Sequence, residues 1–405
     1  MDKLDPKQDG ASPDIVEQNI DKLRELFPDA FTEGSDPNGP RWKVDFEALQ
    51  QILGDYKEDQ NERYSFTWHG KSRARQIAQT PSNGTLRPYP DESVNWDSTQ
   101  NIFIEGDNLE VLKLLQKSYH KQVKMIYIDP PYNTGGEFIY PDRFQDNLDT
   151  YLRYTGQIDD QGFKVSANSE SSGRYHTNWL NMMYPRLRLA RNLLKDDGVI
   201  FVSIDDHEVQ NLRQIMDEIF GPENFIATVI WQKVYSPKNS ARHFSEDHDY
   251  VVVYARNGEA WEPELLPRSA EQDAAYGNPD EDPRGPWKAS DLSARNYYGE
   301  GTYSVESPTG KFFSGPPSGR YWSVSKARFQ ELDQDNRIWW GRDGNSMPSL
   351  KRFLHEVKQG RVPQTLWSYK EVGHTQEGKK ELLRRLDFDS SESVFDTPKP
   401  TRLIT

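Results

Sequence analysis

Between about Asn101 and Tyr254 the sequence alternates short apolar runs with helical periods, and this alternation confines the region to one kind of architecture. Asn101-Ile102-Phe103-Ile104 reads as a strand that ends at Glu105-Gly106-Asp107. Leu109, Val111, Leu112 and Leu115 then mark an amphipathic helix, with Asp107 or Asn108 as its N-cap. Val123–Ile128 is the next strand and runs straight into Asp129-Pro130-Pro131-Tyr132. A helix follows over about Trp179–Leu194, closed by Lys195-Asp196-Asp197-Gly198, then the strand Val199–Ile204. A helix from about Glu208 to Phe220 stops at Gly221-Pro222, and strands are expected at Ile226–Gln232 and Tyr250–Tyr254. Units of this length predict an α/β core, a largely parallel sheet with helices on both faces.

A chain of 405 residues has room for about two or three domains. Residues 1–60 read as an acidic, helical N-terminal extension, with Ile20, Leu23 and Leu26 at helical spacing and a second short helix around Phe46–Leu53. Residues 61–255 form the core. From 256 to 385, Pro, Gly, Trp and Tyr become frequent, which predicts an irregular, β-rich insert, with a basic helix near its end at Thr375–Leu386. Residues 386–405 return to the core. The 12% aromatic content argues against general disorder. No apolar run approaches the roughly 18 residues that span a bilayer, and the first twenty residues are unlike a secretory signal. A cytoplasmic protein without membrane contact is the expectation. With no cysteine, disulfides and thiolate metal sites are excluded.

The net charge of −14 means that any basic, polyanion-binding surface is local. Lys71-Ser72-Arg73-Ala74-Arg75 is one such cluster. Arg186, Arg188 and Arg191 are a second, and Lys379-Lys380 with Arg384-Arg385 a third. Taken singly, each reads as a solvated face rather than a contact.

The string Tyr127-Ile128-Asp129-Pro130-Pro131-Tyr132-Asn133-Thr134-Gly135 carries the chemistry. Ligands of open α/β sheets bind at the carboxyl ends of strands. Two prolines there make a stiff protruding loop, because proline fixes φ and cannot continue a ladder. Such a loop suits a planar substrate bearing an amino group. Asp129 and the Pro130 carbonyl accept its two hydrogens, and Tyr132 stacks on the ring. The same residue types also make ordinary strand-ending turns; the complete string behind an apolar strand favours the site. Asp205 and Asp206 end another strand and read as a helix start rather than a metal site. No metal is expected. His176 and Asn178 lie near the pocket mouth or on a surface loop.

With these strings together, the chain resembles the modification methyltransferase subunits of type III restriction–modification systems, which are circularly permuted amino-methyltransferases. The resemblance rests on Tyr64 through Trp68, Phe103 through Glu110, Asp129 through Gly135 and Tyr184-Pro185-Arg186-Leu187. It continues in Val199 through Asp206 and Phe395 through Pro400. It implies a Rossmann-like methyltransferase core and S-adenosylmethionine as cofactor. The implied reaction is site-specific methylation of adenine N6 in double-stranded DNA, since Asp at the first position of the tetrapeptide goes mainly with adenine. The implied catalytic residues are Asp129, Pro130, Pro131 and Tyr132, with Asn133 in the target-base pocket. The implied cofactor contacts are Gly106, Asp107, Asp129, Thr397 and Lys399. Asp107 serves equally as a helix cap.

One family feature is missing. Family members carry a glycine-rich Phe-x-Gly-x-Gly loop soon after the Pro-Lys-Pro segment, whereas this sequence stops at Thr405, five residues past Pro400. The core is therefore expected to be incomplete at its C-terminus. Three explanations fit: a split enzyme whose partner supplies the loop, a truncated chain, or loss of methyl transfer with DNA recognition retained. The intact Asp129–Asn133 string favours the first two. The expected partners are duplex DNA, a complementary methyltransferase fragment, a restriction subunit and a second copy of the chain. The rival expectation is a non-catalytic DNA-recognition subunit of a larger complex.

Overall fold

The computed structural model describes residues 12–33, 42–54, 65–134, 175–268, 270–386 and 397–405. Tyr64, Gly135 and the Phe395-Asp396 pair lie outside them. The chain divides into two compact units: Met1–Glu262 with Gln364–Thr405, and Pro263–Pro363.

In the first unit, α1 (Ile15–Leu26) is capped by the Asp14 carboxylate and α2 (Phe46–Leu53) by that of Asp45. Between them β1 (Phe31–Glu33) pairs antiparallel with β2 (Trp42–Val44), so the N-terminal extension is not purely helical. Next come α3 (Lys71–Gln79) and α4 (Asn108–Tyr119). The core elements are β3 (Val123–Ile128), α5 (Tyr175–Leu193), β4 (Leu194–Ile204), α6 (Val209–Phe220), β5 (Phe225–Gln232) and β6 (His248–Ala255). One five-stranded sheet runs in the order Leu366–Trp367, β5, β6, β4, β3.

The sheet is α/β and Rossmann-like, but mixed. β3 pairs parallel with β4, and Leu366–Trp367 parallel with β5, while β6 is antiparallel to both β4 and β5. Having no crossover helix after β5, the chain returns alongside it in the opposite sense, as short connections do. α5 and α6 pack on the face carrying Ile200, Val202, Ile204, Val252 and Tyr254. The opposite face, with Val199, Val229, Val251 and Val253, packs Trp261 and Trp367. The strand expected at Asn101–Ile104 is absent, and Ile102 and Phe103 are 70% and 91% exposed. A strand exists only as a member of a ladder, and among the described residues β3 pairs with β4 alone.

The second compact unit, Pro263–Pro363, is shorter at both ends than the insert expected at 256–385. At its start, Arg256 N donates to the Gly198 carbonyl and Trp261 packs on the sheet. At its end, Ile230 N donates to the Thr365 carbonyl, and Thr375 N, opening the helix Thr375–Arg385, donates to that of Lys233. The second unit holds a three-stranded antiparallel sheet of Ile338–Trp339, Ser349–Phe353 and Trp287–Asp291. Its core is Leu292, Val305, Trp322, Phe329, Leu332, Ile338 and Trp340. Several tryptophans of the insert are thus packing residues. Among the described residues no helix is long and apolar enough to cross a membrane.

Two of the basic clusters are structural. Lys71 and Arg75 tie α3 to Glu218 of α6, at 2.5 and 3.4 Å. Arg186 faces Asp107 at 3.6 Å, and Arg188 donates to the Tyr184 hydroxyl. In the third cluster Lys380, Arg384 and Arg385 remain exposed.

Burial alone would raise the Glu218 carboxyl, but hydrogen bonds from Lys71 and Tyr184 hold it below the usual carboxylate range. A depressed carboxyl contributes stability above its unfolded pKa and loses it as pH falls through the folded value. Glu218→Gln should therefore cost about 1–3 kcal/mol at neutral pH. In urea unfolding at a series of pH values, the gap to the wild type should narrow below about pH 4.

Candidate active site

The register of the sheet assembles one edge. Ile128 pairs with Val202 and Trp231 with Asp249, so β3, β4 and β5 end, and β6 begins, on the same side. Asp129 is the first residue past β3 and remains open to solvent, while Pro130 is buried. The loop leaves the ladder here, and its carbonyls need other partners. Trp179 Nε1 donates to the Pro131 carbonyl at 2.7 Å, and the Tyr175 hydroxyl donates to the Asn133 carbonyl. Both donors stand on the first turns of α5.

Lys399 enters the site from the far end of the sequence. Its ammonium lies 2.9 and 3.0 Å from the two carboxylate oxygens of Asp129. It also lies 5.0 Å from the centre of the Tyr132 ring and 5.7 Å from that of Trp231. Local packing accounts for this placement. A Cβ on Gly378 would come within 2.6 Å of the Pro398 carbonyl oxygen, so only glycine lets the Thr375–Arg385 helix approach the Pro398-Lys399 backbone. Glu381 accepts from both the amide and the hydroxyl of Thr401, and Glu377 pairs with Arg402. Pro398 and Pro400 stiffen the segment between these ties.

The surroundings are charged and partly dry. Burial raises the Asp249 carboxyl above its ordinary value, opposed by Lys233 at 2.6 Å. Burial, then the charge of Asp129, pushes the Tyr132 phenol upward, so it stays protonated. Asn133 is buried with φ at 59°, in the left-handed region, and its amide donates to Glu208 at 2.5 Å.

Asp129, Tyr132 and Lys399 therefore meet, with Pro130, Pro131 and Asn133 in the same loop. Asp107 caps α4, accepting from the amides of Leu109 and Glu110 at 2.9 and 3.0 Å, with Gly106 before it. Its only ion-pair neighbour among the described residues is Arg186 of α5. Thr397 is exposed. Asp205 accepts from the amide of His207, and Asp206 from the Tyr250 hydroxyl. Sequence reasoning did not single out Tyr175, Trp179, Glu208, Trp231 or Asp249 as site residues. Glu208 was the most accessible of these, as an acidic residue just past a strand end.

A Rossmann-like sheet with an Asp-Pro-Pro-Tyr loop at its carboxyl edge is the class that fold and site define. The family model described as DNA methylase (N6_N4_Mtase) matches residues 123–405, and the chain belongs to that family. It is 36% identical over 348 residues to the type III restriction-modification enzyme StyLTI Mod subunit of Salmonella typhimurium, covering 84% of this chain and 51% of the relative. It is 30% identical over 415 residues to the EcoPI Mod subunit of Escherichia phage P1, covering 95% of this chain and 62% of the relative. The chain thus spans between half and two thirds of these relatives. The solved PvuII DNA methyltransferase (cytosine-N4-specific) aligns with a TM-score of 0.24 at 12% identity, over 38% of this chain and 49% of that one.

Trp179→Phe keeps an aromatic ring in the core but leaves the Pro131 carbonyl without its donor. Expected are a loss of about 1–3 kcal/mol in urea unfolding and faster hydrogen exchange at the amides of Tyr132 and Asn133. Unchanged exchange there would show that the indole does not restrain the loop.

Proposed function

We propose that this chain carries the base-binding half of a site-specific DNA adenine-N6 methyltransferase that uses S-adenosylmethionine and serves as the modification subunit of a restriction–modification system. One observation carries the reading. Both oxygens of Asp129 already hold N–H donors, above a tyrosine ring, at the carboxyl edge of the sheet. The Lys399 ammonium stands in for the exocyclic amine of the base.

The target adenine leaves the DNA stack at a cost of a few kcal/mol, and stacking on Tyr132 returns about 1–3 kcal/mol of that. Asp129 and the Pro130 carbonyl accept the two amino hydrogens and turn the nitrogen lone pair out of the ring's conjugation. Trp179 donates to the Pro131 carbonyl, which fixes the loop beside the Pro130 carbonyl that accepts from the base. Positioning and these two bonds account for most of the rate. Lys399 must leave Asp129 as the amine arrives.

The residues present fit a methyl donor by their chemistry. Lys399 offers a cation for its carboxylate, Asp107 an anion for its hydroxyls or ammonium, and Gly106 and Thr397 flank these. Bound S-adenosylmethionine would supply a methyl group made electrophilic by its sulfonium. Among the described residues the outer edge of β3 is unpaired and Phe103 is exposed, which leaves room beside the donor side for further polypeptide. The second unit reads the duplex, and a restriction subunit completes the system.

Asp129→Ala should lower methyl transfer to unmethylated duplex DNA by on the order of 10²–10³-fold while filter binding of the DNA persists; full transfer would sink the reading. Lys399→Met should weaken S-adenosylmethionine binding about tenfold or more in calorimetry. Equal affinity would remove Lys399 from the donor site and leave it a neighbour of Asp129 only.

A further inference from the structure

Glu208 is fully buried, and nothing in the reaction above uses it. Its carboxylate receives the Asn133 amide at 2.5 Å and the Asn211 amide at 2.7 Å, and lies 2.8 Å from His176 Nδ1. A carboxylate removed from water is costly unless its oxygens are bonded, and a buried network so bonded selects one conformation. The conformation selected is that of Asn133, whose φ of 59° a non-glycine residue seldom adopts. The same Asn133 amide group donates to the Tyr175 carbonyl at 3.2 Å, and the Tyr175 hydroxyl donates back to the Asn133 carbonyl. With Trp179 on the Pro131 carbonyl, the loop is fastened on both sides of Tyr132. Glu208 is the point where the starts of α5 and α6 meet this loop.

We propose that Glu208 is a positioning residue for methyl transfer, acting through Asn133 to hold the Pro130 carbonyl and the Tyr132 ring in register with Asp129. The inference rests on the reading of the loop as the amine-accepting site. A glutamine at 208 conserves volume, but its NH₂ faces a donor, Asn211 or Asn133, so at least one bond of the network fails. The loop then samples other conformations. Misplacing reacting groups by about 1 Å costs on the order of 100-fold.

The test measures initial rates of tritium transfer from labelled S-adenosylmethionine to unmethylated genomic duplex DNA. The full chain is used, supplied with the polypeptide bearing the glycine-rich loop where transfer requires it. Glu208→Gln, Asn133→Ala and the double variant are compared with the wild type, with Tm recorded for each. The expected result is a fall in kcat of about 100-fold for Glu208→Gln with KM for DNA and donor unchanged. The double variant should fall no further than the lower single variant, as for residues acting through one another. A Glu208→Gln kcat equal to that of the wild type, or losses that multiply, overturns the proposal while leaving the methyltransferase reading in place. A folded Asn133→Ala variant with wild-type kcat also overturns it, even if the Glu208 variant fails to fold. No transfer by the wild type overturns the reading itself, and this inference with it.

Discussion

The indole of Trp179 joins the fold to the site. Its ring is fully buried in the cluster that α5 and α6 build on the sheet, and its N–H reaches the Pro131 carbonyl. A loop with two consecutive prolines cannot satisfy itself by continuing a ladder, so its shape is dictated by whatever donors surround it. Here those donors stand on α5, whose position is set by the packing of Met183, Tyr184 and Leu187 against the sheet. Asp129 therefore inherits its position from the core, as precise chemistry on a loop requires.

Charge is arranged locally against an acidic background. A chain with a net charge of −14 brings two lysines, Lys233 and Lys399, to the sheet edge that holds Asp129 and Asp249. Lys399 is set there by a clamp: Gly378 allows backbone contact, and Glu377 and Glu381 hold Arg402 and Thr401 on the other side. The side chain of Lys399 is only 8% exposed, so its pairing with Asp129 is less screened than a surface ion pair. In the proposed reaction, the approach of an amine to Asp129 is an exchange of one N–H donor for another.

Much of the core was legible before the structure. β3 spans Val123–Ile128 as its apolar run predicts, and α4 takes Asp107 as its cap. The failures have a common cause. The strand expected at Asn101–Ile104 had the composition but no ladder partner among the described residues. The sheet, expected to be largely parallel, has β6 as an antiparallel member because β6 follows β5 without a crossover helix. The second compact unit is narrower than the expected insert, because Leu366–Trp367 joins the sheet and Trp261 packs against it. Composition reports what an element could be, while pairing decides whether it forms.

The sequence by itself determined the local pieces: the stiff Asp-Pro-Pro-Tyr loop, the periods of its flanking elements, the caps, and membership of a family with a known tetrapeptide. Only the tertiary structure decided that Lys399 sits on Asp129, 270 residues away, and that Glu208 holds Asn133 across 75 residues. The physical reason is range. Backbone stiffness, capping and periodicity act within a few residues and are written in neighbouring side chains. Contacts between distant residues depend on ladder register and helix packing, which no single segment encodes.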